Sequence, residues 1–211
     1  MGPTFDTERA LLARGRRIIA GADEAGRGAL AGPLSVGLVV FSEDIITHPP
    51  SELLSSVRDS KQLTHVRRLE VLEIIRHYSL RMDAELVSHR VVDRLNVNGA
   101  TEYALRRLVA RMASAPDTVL LDGKFRFEIG CELVSLVKGD ATCLSVAAAS
   151  IAAKVRRDLV MERFDARYPG YGFARHKGYG TEDHRACIAE FGPCPIHRRS
   201  YEPVRSMVGG L

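Results

Sequence analysis

The sequence predicts a mixed α/β domain, a five-stranded sheet flanked by helices, and three observations carry that prediction. Residues 17–22 and 34–41 are short apolar β-type runs joined by a glycine-rich turn. Leu80 to Val87 alternates apolar and polar positions, as a half-buried strand does. Thr118-Val119-Leu120-Leu121 and Leu133–Val137 are unbroken apolar runs set among helical periodicities, the mark of buried parallel strands. The order is therefore a three-stranded meander followed by alternating units, β-β-β-α-β-α-like, and not a pure doubly wound sheet.

Taken in order, residues 6–15 carry acids early (Asp6, Glu8) and arginines late (Arg9, Arg14) around Leu11 and Leu12. They read as a short, frayed helix leading into the first strand. That strand, Arg17 to Ala22, runs into Asp23 and Glu24 and then a Gly26-Arg27-Gly28 turn; Leu34–Phe41 returns antiparallel to it. Pro49-Pro50 marks a loop, and Asp59-Ser60-Lys61-Gln62-Leu63 leads into a helix. Thr64 can cap that helix, and its Val66, Leu69, Leu72 and Ile75 recur at helical spacing. Thr101 to Met112 is amphipathic, with Ala104, Leu105, Leu108 and Met112 on one face. From Leu144 to Phe164 runs a helix rich in small residues (Ala147, Ala148, Ala149, Ser150, Ala152, Ala153), which lets it lie close on a sheet. Beyond Tyr168 the composition shifts to Gly, His, Arg and Tyr. The expected organisation is a core over residues 1–167 and a small helical C-terminal region, residues 168–211, packed on it.

With 211 residues, 45% of them hydrophobic, the chain can bury a full core as one domain. Thirty Lys and Arg against 26 Asp and Glu leave a formal charge of +4, which suits a nucleic-acid enzyme whose acidic site is offset by basic flanks. Cys131, Cys143, Cys187 and Cys194 have no C-x-x-C spacing and read as reduced thiols, not disulfides or zinc ligands. Arg14, Arg16 and Arg17 interrupt any signal-peptide core, and no window approaches the length of a membrane span. The expectation is a cytoplasmic protein.

The chemistry begins at Asp23-Glu24. Two adjacent acids at a strand end repel each other unless a cation lies between them. Gly26 and Gly28 let the backbone bring N–H groups close to a ligand, with Arg27 beside them for an anion. If the first and fourth strands are parallel neighbours, Asp23 and Asp122 emerge at the same edge, and Asp140, after the fifth strand, can reach it too. Taken singly, each acid reads as an ordinary turn or cap residue. Four converging carboxylates need a counter-ion, and hard oxygen ligands select Mg²⁺ or Mn²⁺; two such ions can clamp the attacking and leaving oxygens of a phosphoryl displacement.

These elements occur with further motifs in a recognisable order: Asp23-Glu24-Ala25-Gly26-Arg27-Gly28, Asp59-Ser60-Lys61, Leu121-Asp122-Gly123, Lys138-Gly139-Asp140, Ala148 to Val155 with Arg157-Asp158, and His176-Lys177-Gly178-Tyr179. From about Ile18 to Pro203 the chain resembles the bacterial ribonuclease HII family, the type 2 ribonucleases H. The resemblance implies a ribonuclease H-like fold and an endoribonuclease acting on the RNA strand of RNA/DNA hybrids. It also implies action on single ribonucleotides embedded in duplex DNA, cut on their 5′ side to leave a 3′-hydroxyl and a 5′-phosphate. It assigns two Mg²⁺ or Mn²⁺ ions to Asp23, Glu24, Asp122 and Asp140, and the ribose 2′-hydroxyl to Gly26, Arg27 and Gly28. Tyr179 maps onto the residue that senses the RNA–DNA junction, and Lys61 onto a basic residue near the phosphates. The expected partners are RNA/DNA hybrid and ribonucleotide-containing duplex, bound by a monomer without a membrane. The chain ends at Leu211, short of the helical extension of many members, which implies a lighter hold on duplex. It leaves no room for the N-terminal domain of the sister type HIII.

Other residues receive modest readings. His176, His184 and His197 match no ligand spacing and read as solvated or phosphate-facing. Tyr168 and Tyr171 read as packing residues, Lys154 and Asp158 as an i,i+4 ion pair, and Asn96 as a candidate for holding the site's edge.

Overall fold

The computed structural model describes residues 2–58 and 64–208. In chain order the elements are α1 (Asp6–Ala13), β1 (Ile19–Ala25), β2 (Leu34–Phe41), α2 (Glu43–Thr47), α3 (Ser51–Arg58), α4 (His65–Tyr78) and β3 (Ser79–Val87). There follow α5 (His89–Ala110), β4 (Thr118–Asp122), β5 (Glu132–Leu136), α6 (Gly139–Thr142), α7 (Leu144–Arg167), α8 (Phe173–His176), α9 (Glu182–Phe191) and α10 (Val204–Val208). The five strands form one sheet in the order β3-β2-β1-β4-β5. The meander β1-β2-β3 is antiparallel, whereas β4 joins parallel to β1 and β5 parallel to β4. β4 is buried as its apolar run predicts, but β5 is not: it is the edge of the sheet and is only half-buried.

Both faces of β1 and β2 are covered, which is why the two strands are apolar apart from Ser35 and the acids Asp23 and Glu24. Side chains alternate across a strand, so Ala20, Ala22, Leu34, Val36, Leu38 and Val40 pack towards Ala104, Leu105 and Leu108 of α5. On the opposite face Val39 and Phe41 meet Leu144, Ala147, Ala148 and Ile151 of α7. There the helix lies directly on the strands' backbone. A Cβ built on Gly21 would fall 2.1 Å from the carbonyl carbon of Ser145, and one on Gly37 would fall 2.2 Å from the Ala149 oxygen. Small residues on α7 and glycines beneath it are two halves of one close approach.

Four further local features differ from expectation. The first strand does not stop at Ala22: it runs through both acids to Ala25, because β2 goes on pairing (Asp23↔Gly37, Glu24↔Val36, Ala25↔Ser35) after β4 has ended at Ala22↔Leu121. The helix expected from Thr101 begins at His89 and is broken at Asn96, whose φ of 55° and ψ of 175° interrupt it. Residues 89–98 carry too many polar side chains for an apolar stripe to announce them. Helices α2 and α3 flank the Pro49-Pro50 loop where only the loop was expected. Finally, α1 is pinned and not frayed: Glu8 is fully buried, and its Oε1 accepts the N–H of Ser145 in the first turn of α7 at 2.9 Å.

The C-terminal segment packs across the Gly26–Pro33 loop. Leu30 N–H donates to the Gly178 carbonyl (2.8 Å), Gly32 N–H to Ile196 (2.9 Å), and Arg198 N–H to Leu30 (2.8 Å). Ala31, Met161, Phe173 and Ile196 close a small apolar cluster beneath these bonds. Among the described residues no helix is long and apolar enough to cross a membrane.

Candidate active site

Parity along the strands decides which acids meet. Gly21 faces α7, so Asp23, two residues on, faces it as well. Leu121 pairs with Ala22 on the α5 side, so Asp122 comes out on the α7 side beside Asp23. Asp140 is delivered by a turn in which Lys138 adopts the left-handed conformation (φ 57°), and Gly139 N–H donates to Asp122 Oδ1 at 2.6 Å. That bond ties the end of β4 to the start of α6 and sets Asp140 next to Asp122.

The electrostatics record this crowding. Asp23, 7% exposed, is pushed up to about 7 by burial, with repulsion from Asp122 and Asp140 added and a Ser150 hydrogen bond opposing. Glu24 is likewise raised to about 7 by burial and by Asp23, against the pull of Arg27, whose Nε lies 3.4 Å from Oε1. Glu24 Oε2 is buried without a hydrogen-bond partner. Among the described residues no three His, Cys, Asp or Glu side chains lie close enough together, as placed, to hold a metal ion. The acids nonetheless suit divalent cations in kind: Asp122 and Asp140 repel Asp23, Asp23 and Asp122 repel Glu24, one carboxylate oxygen is orphaned, and burial drives Asp23 and Glu24 towards the neutral form.

The Gly-Arg-Gly turn beside them is rigidly held. Gly26 has φ +93°, and a Cβ there would fall 2.0 Å from Nε of Arg157, so the turn rests directly on that guanidinium. Arg157 is fully buried and donates to the carbonyls of Pro33 (2.9 Å) and Ala31 (3.2 Å). Burial pushes its guanidinium down to about 10. Arg198, also fully buried, donates to Gly32 (3.2 Å) and Arg27 (2.9 Å), and Tyr201 Oη donates to the same Arg27 carbonyl at 2.8 Å. The Arg27 side chain reaches the other way, to Asn98 Oδ1 (2.7 Å) and over the Phe125 ring (5.1 Å). Asn98 is placed by the break in α5, where Asn96 Oδ1 accepts the N–H groups of Asn98 (2.9 Å) and Gly99 (3.2 Å).

Tyr179 arrives from the tail. Its hydroxyl accepts the Gly26 N–H at 3.1 Å, its ring lies 5.2 Å from the Arg157 guanidinium carbon, and it stays 37% exposed. It lines a cleft of about 240 Å³ together with Glu24, Asp140 and Ser150. Lys61 lies outside the described residues.

The three tail histidines are not solvated. All are buried, with His176 and His184 stacked at 4.2 Å between centroids. Their bonds fit one set of neutral tautomers. Gly178 N–H donates to His176 Nδ1, and His176 Nε2 bonds the Tyr171 carbonyl. Cys194 N–H donates to His197 Nδ1, His197 Nε2 meets His184 Nε2 at 3.1 Å, and His184 Nδ1 bonds the Tyr179 carbonyl. The cluster therefore buttresses Tyr179, which spacing alone could not reveal. Arg198 gives no local signal either, whereas Arg157, a charge following an apolar helical stretch, is at least conspicuous. Tyr171 packs as expected, stacked on Phe173 at 5.4 Å, the Lys154–Asp158 pair forms, and all four cysteines are free.

Comparison with known proteins identifies the family. The family model described as ribonuclease HII matches residues 20–204. The chain is 42% identical over 205 residues to the ribonuclease HII of Geobacter sulfurreducens, covering 97% of this chain and 91% of that one. It is also 42% identical over 208 residues to that of Chloroflexus aggregans, covering 99% and 97%. Among solved structures it is similar to the ribonuclease H2 of Pyrococcus horikoshii OT3 (TM-score 0.75, 26% identity, 90% of this chain and 96% of that chain). A ribonuclease HII solved in complex with PCNA from Archaeoglobus fulgidus superposes with a TM-score of 0.71 at 27% identity, over 88% and 95% of the two chains. The chain belongs to the ribonuclease HII family and is a type 2 ribonuclease H, a divalent-metal-dependent endonuclease that cuts RNA in RNA/DNA hybrids.

Proposed function

We propose that the protein also incises duplex DNA at a single embedded ribonucleotide, on its 5′ side, leaving a 3′-hydroxyl and a 5′-phosphate. The observation that carries this reading is the 3.1 Å bond from Gly26 N–H to Tyr179 Oη. It makes the Gly26-Arg27-Gly28 turn and the Tyr179 ring one rigid unit beside the acids. In this reading the turn's backbone accepts only a nucleotide that carries a 2′-hydroxyl, the group that separates RNA from DNA. The ring lies against the following sugar, where a second 2′-hydroxyl would crowd it. Ribose followed by deoxyribose satisfies both.

Asp23, Glu24, Asp122 and Asp140 would hold two Mg²⁺ or Mn²⁺ ions, which supply Lewis-acid stabilisation of the charge that builds on the phosphate as its bond to the departing 3′-oxygen breaks. The chain's own part is positional. Ser150 holds Asp23, Gly139 N–H holds Asp122, and Arg27 holds Glu24, so the acids need little reorganisation before reaction. One copy supplies acids, turn and tyrosine, so we take the acting unit to be a cytoplasmic monomer, with residues 1–167 as catalytic core and residues 168–211 as the substrate-contacting region. Cutting rates on a duplex with one ribonucleotide and on a continuous RNA/DNA hybrid test the proposal. Wild type should cut both, and Tyr179→Ala should lose far more rate on the single ribonucleotide than on the hybrid, with its melting temperature little changed. A protein that leaves the single ribonucleotide intact is instead a reader of consecutive ribonucleotides. Equal losses in Tyr179→Ala return the ring to a packing role.

A further inference from the structure

We infer that the N-terminal segment Thr4–Glu8 is a strap that positions Asp140 by holding the junction of α6 and α7, with Glu8 as its positioning residue. The segment precedes every motif that marks the family. Asp23, Glu24 and Asp122 are placed by the sheet, since they lie within β1 and β4. Asp140 lies outside the sheet, in α6, a helix of four residues whose place depends on what holds its ends. One end is tied by the Gly139 N–H, which donates to Asp122 Oδ1 at 2.6 Å. The strap ties the other.

Thr4 N–H donates to the Thr142 carbonyl at 3.1 Å, and the Thr4 carbonyl accepts the Leu144 N–H at 2.8 Å, a short parallel bridge across Cys143. Phe5, buried beside it, anchors the bridge edge-on against Phe41, 5.3 Å between centroids. In the first turn of α1, Glu8 Oε1 accepts the Ser145 N–H (2.9 Å) and the Cys143 thiol (3.1 Å). Burial pushes that thiol well above its ordinary pKa, so it stays protonated and can donate. The first turn of α7 holds no acid, and Cys143 gives it no side-chain cap; Glu8 is the cap, supplied from another helix. Residues 142–145 are thus each bonded to the strap, and Asp140 lies two residues before the first of them. The tie costs stability, because Glu8 is fully buried and its Oε2 has no hydrogen-bond partner. What it secures is place: ligand distances in a metal site are held to about 0.2 Å, so small slips of α6 matter.

The inference rests on the reading that Asp140 is a metal ligand, and the test separates the two. Mn²⁺ binding to the substrate-free protein is measured from the paramagnetic resonance signal of the free ion, well below the melting temperature. The proteins are wild type, Glu8→Ala, Glu8→Gln, Thr4→Pro, Asp140→Asn and the double variant of Glu8→Ala with Asp140→Asn. Glu8→Ala should bind about tenfold more weakly, the scale on which losing a supporting partner weakens a metal site. Glu8→Gln should bind nearly as wild type does, because its amide oxygen still accepts the Ser145 N–H. The double variant should bind no more weakly than Asp140→Asn alone, the non-additivity of groups that act through one another. A Glu8→Ala protein that melts lower yet binds Mn²⁺ as wild type does overturns the strap and leaves a packing role. Glu8→Gln binding as weakly as Glu8→Ala overturns it too, as does a further tenfold loss in the double variant. Thr4→Pro removes one N–H from the bridge and carries the test if Glu8→Ala fails to fold: its binding should weaken in the same sense, and unchanged affinity overturns the strap. Asp140→Asn distinguishes the failures. If it binds Mn²⁺ as wild type does, the ligand assignment falls and the strap with it; if it alone binds weakly, only the strap falls.

Discussion

At the scale of single residues the site is governed by charge held against its preference. Asp23 ionises near 7 in the folded chain against an ordinary 3.8, because it is buried beside other acids. A carboxyl whose folded pKa is raised contributes stability at low pH that is lost as pH rises through the folded value. The metal-free protein therefore loses stability through Asp23 between about pH 4 and pH 7, by up to ~4 kcal/mol for a shift of about three units. Asp23→Asn should remove that dependence. The melting temperature of the variant minus that of wild type, without metal, should be near zero at pH 4 and rise by several degrees by pH 7. A difference that stays flat over this window would mean that Asp23 is not crowded. This residue is legible in the sequence only in company: two acids after an apolar run read alone as a surface turn, and it is Asp122 and Asp140 after later strands that imply a missing cation. The support of the neighbouring turn is less legible: Arg157 and Arg198 donate to backbone carbonyls of a distant loop, and such contacts leave no pattern between side chains.

At the scale of elements, the sheet order follows from apolar runs of two kinds, and α7 from its small residues. What the sequence hides is where regular structure breaks for a purpose. Asn96, in sequence only a candidate for holding the site's edge, holds φ 55° and ψ 175°, a region populated essentially by glycine, while its side chain caps the following helical segment and sets Asn98 against Arg27. Strain and capping oppose each other, and substitutions separate them. Asn96→Gly relieves about 1–3 kcal/mol of strain and loses the side-chain cap, worth about 1 kcal/mol, so it should melt at or above wild type. Asn96→Ala keeps the strain and loses the cap, so it should melt below wild type by a few degrees. Thermal melts of the pair check the order, and a glycine variant less stable than the alanine variant would contradict the strain. Glu8 is hidden for a related reason: an acid early in a short helix reads as dipole complement, yet it is spent on the N-terminus of a helix 137 residues away.

At the scale of the whole molecule, the tail makes the site by closing over the Gly26–Pro33 loop, and its buried histidines make that closure sensitive to acid. Burial holds His184 and His197 near 4 against an ordinary 6.5. A histidine with a lowered folded pKa contributes stability present above about 6.5 and lost as pH falls towards 4. Hydrogen exchange should show it. After correction for intrinsic rates, the amides of Gly178 and Arg198, both bonded in this closure, should lose protection between pH 6.5 and 4.5 ahead of those in β1 and β2. Uniform loss across sheet and tail would mean that the histidines do not hold the closure. Composition signals that the tail differs from the core, but spacing assigns its histidines wrongly to solvent, because their partners are one another and the backbone. The proposed chemistry turns on four acids at one sheet edge acting as a single metal-binding set. The most direct test is the initial cutting rate on an RNA/DNA hybrid at saturating Mg²⁺ for Asp23→Asn, Glu24→Gln, Asp122→Asn and Asp140→Asn, each with its fold verified by a melt. Every one of the four should lose about a thousandfold or more, as removal of several kcal/mol of charge stabilisation requires. A variant that folds and keeps near-normal turnover would contradict it.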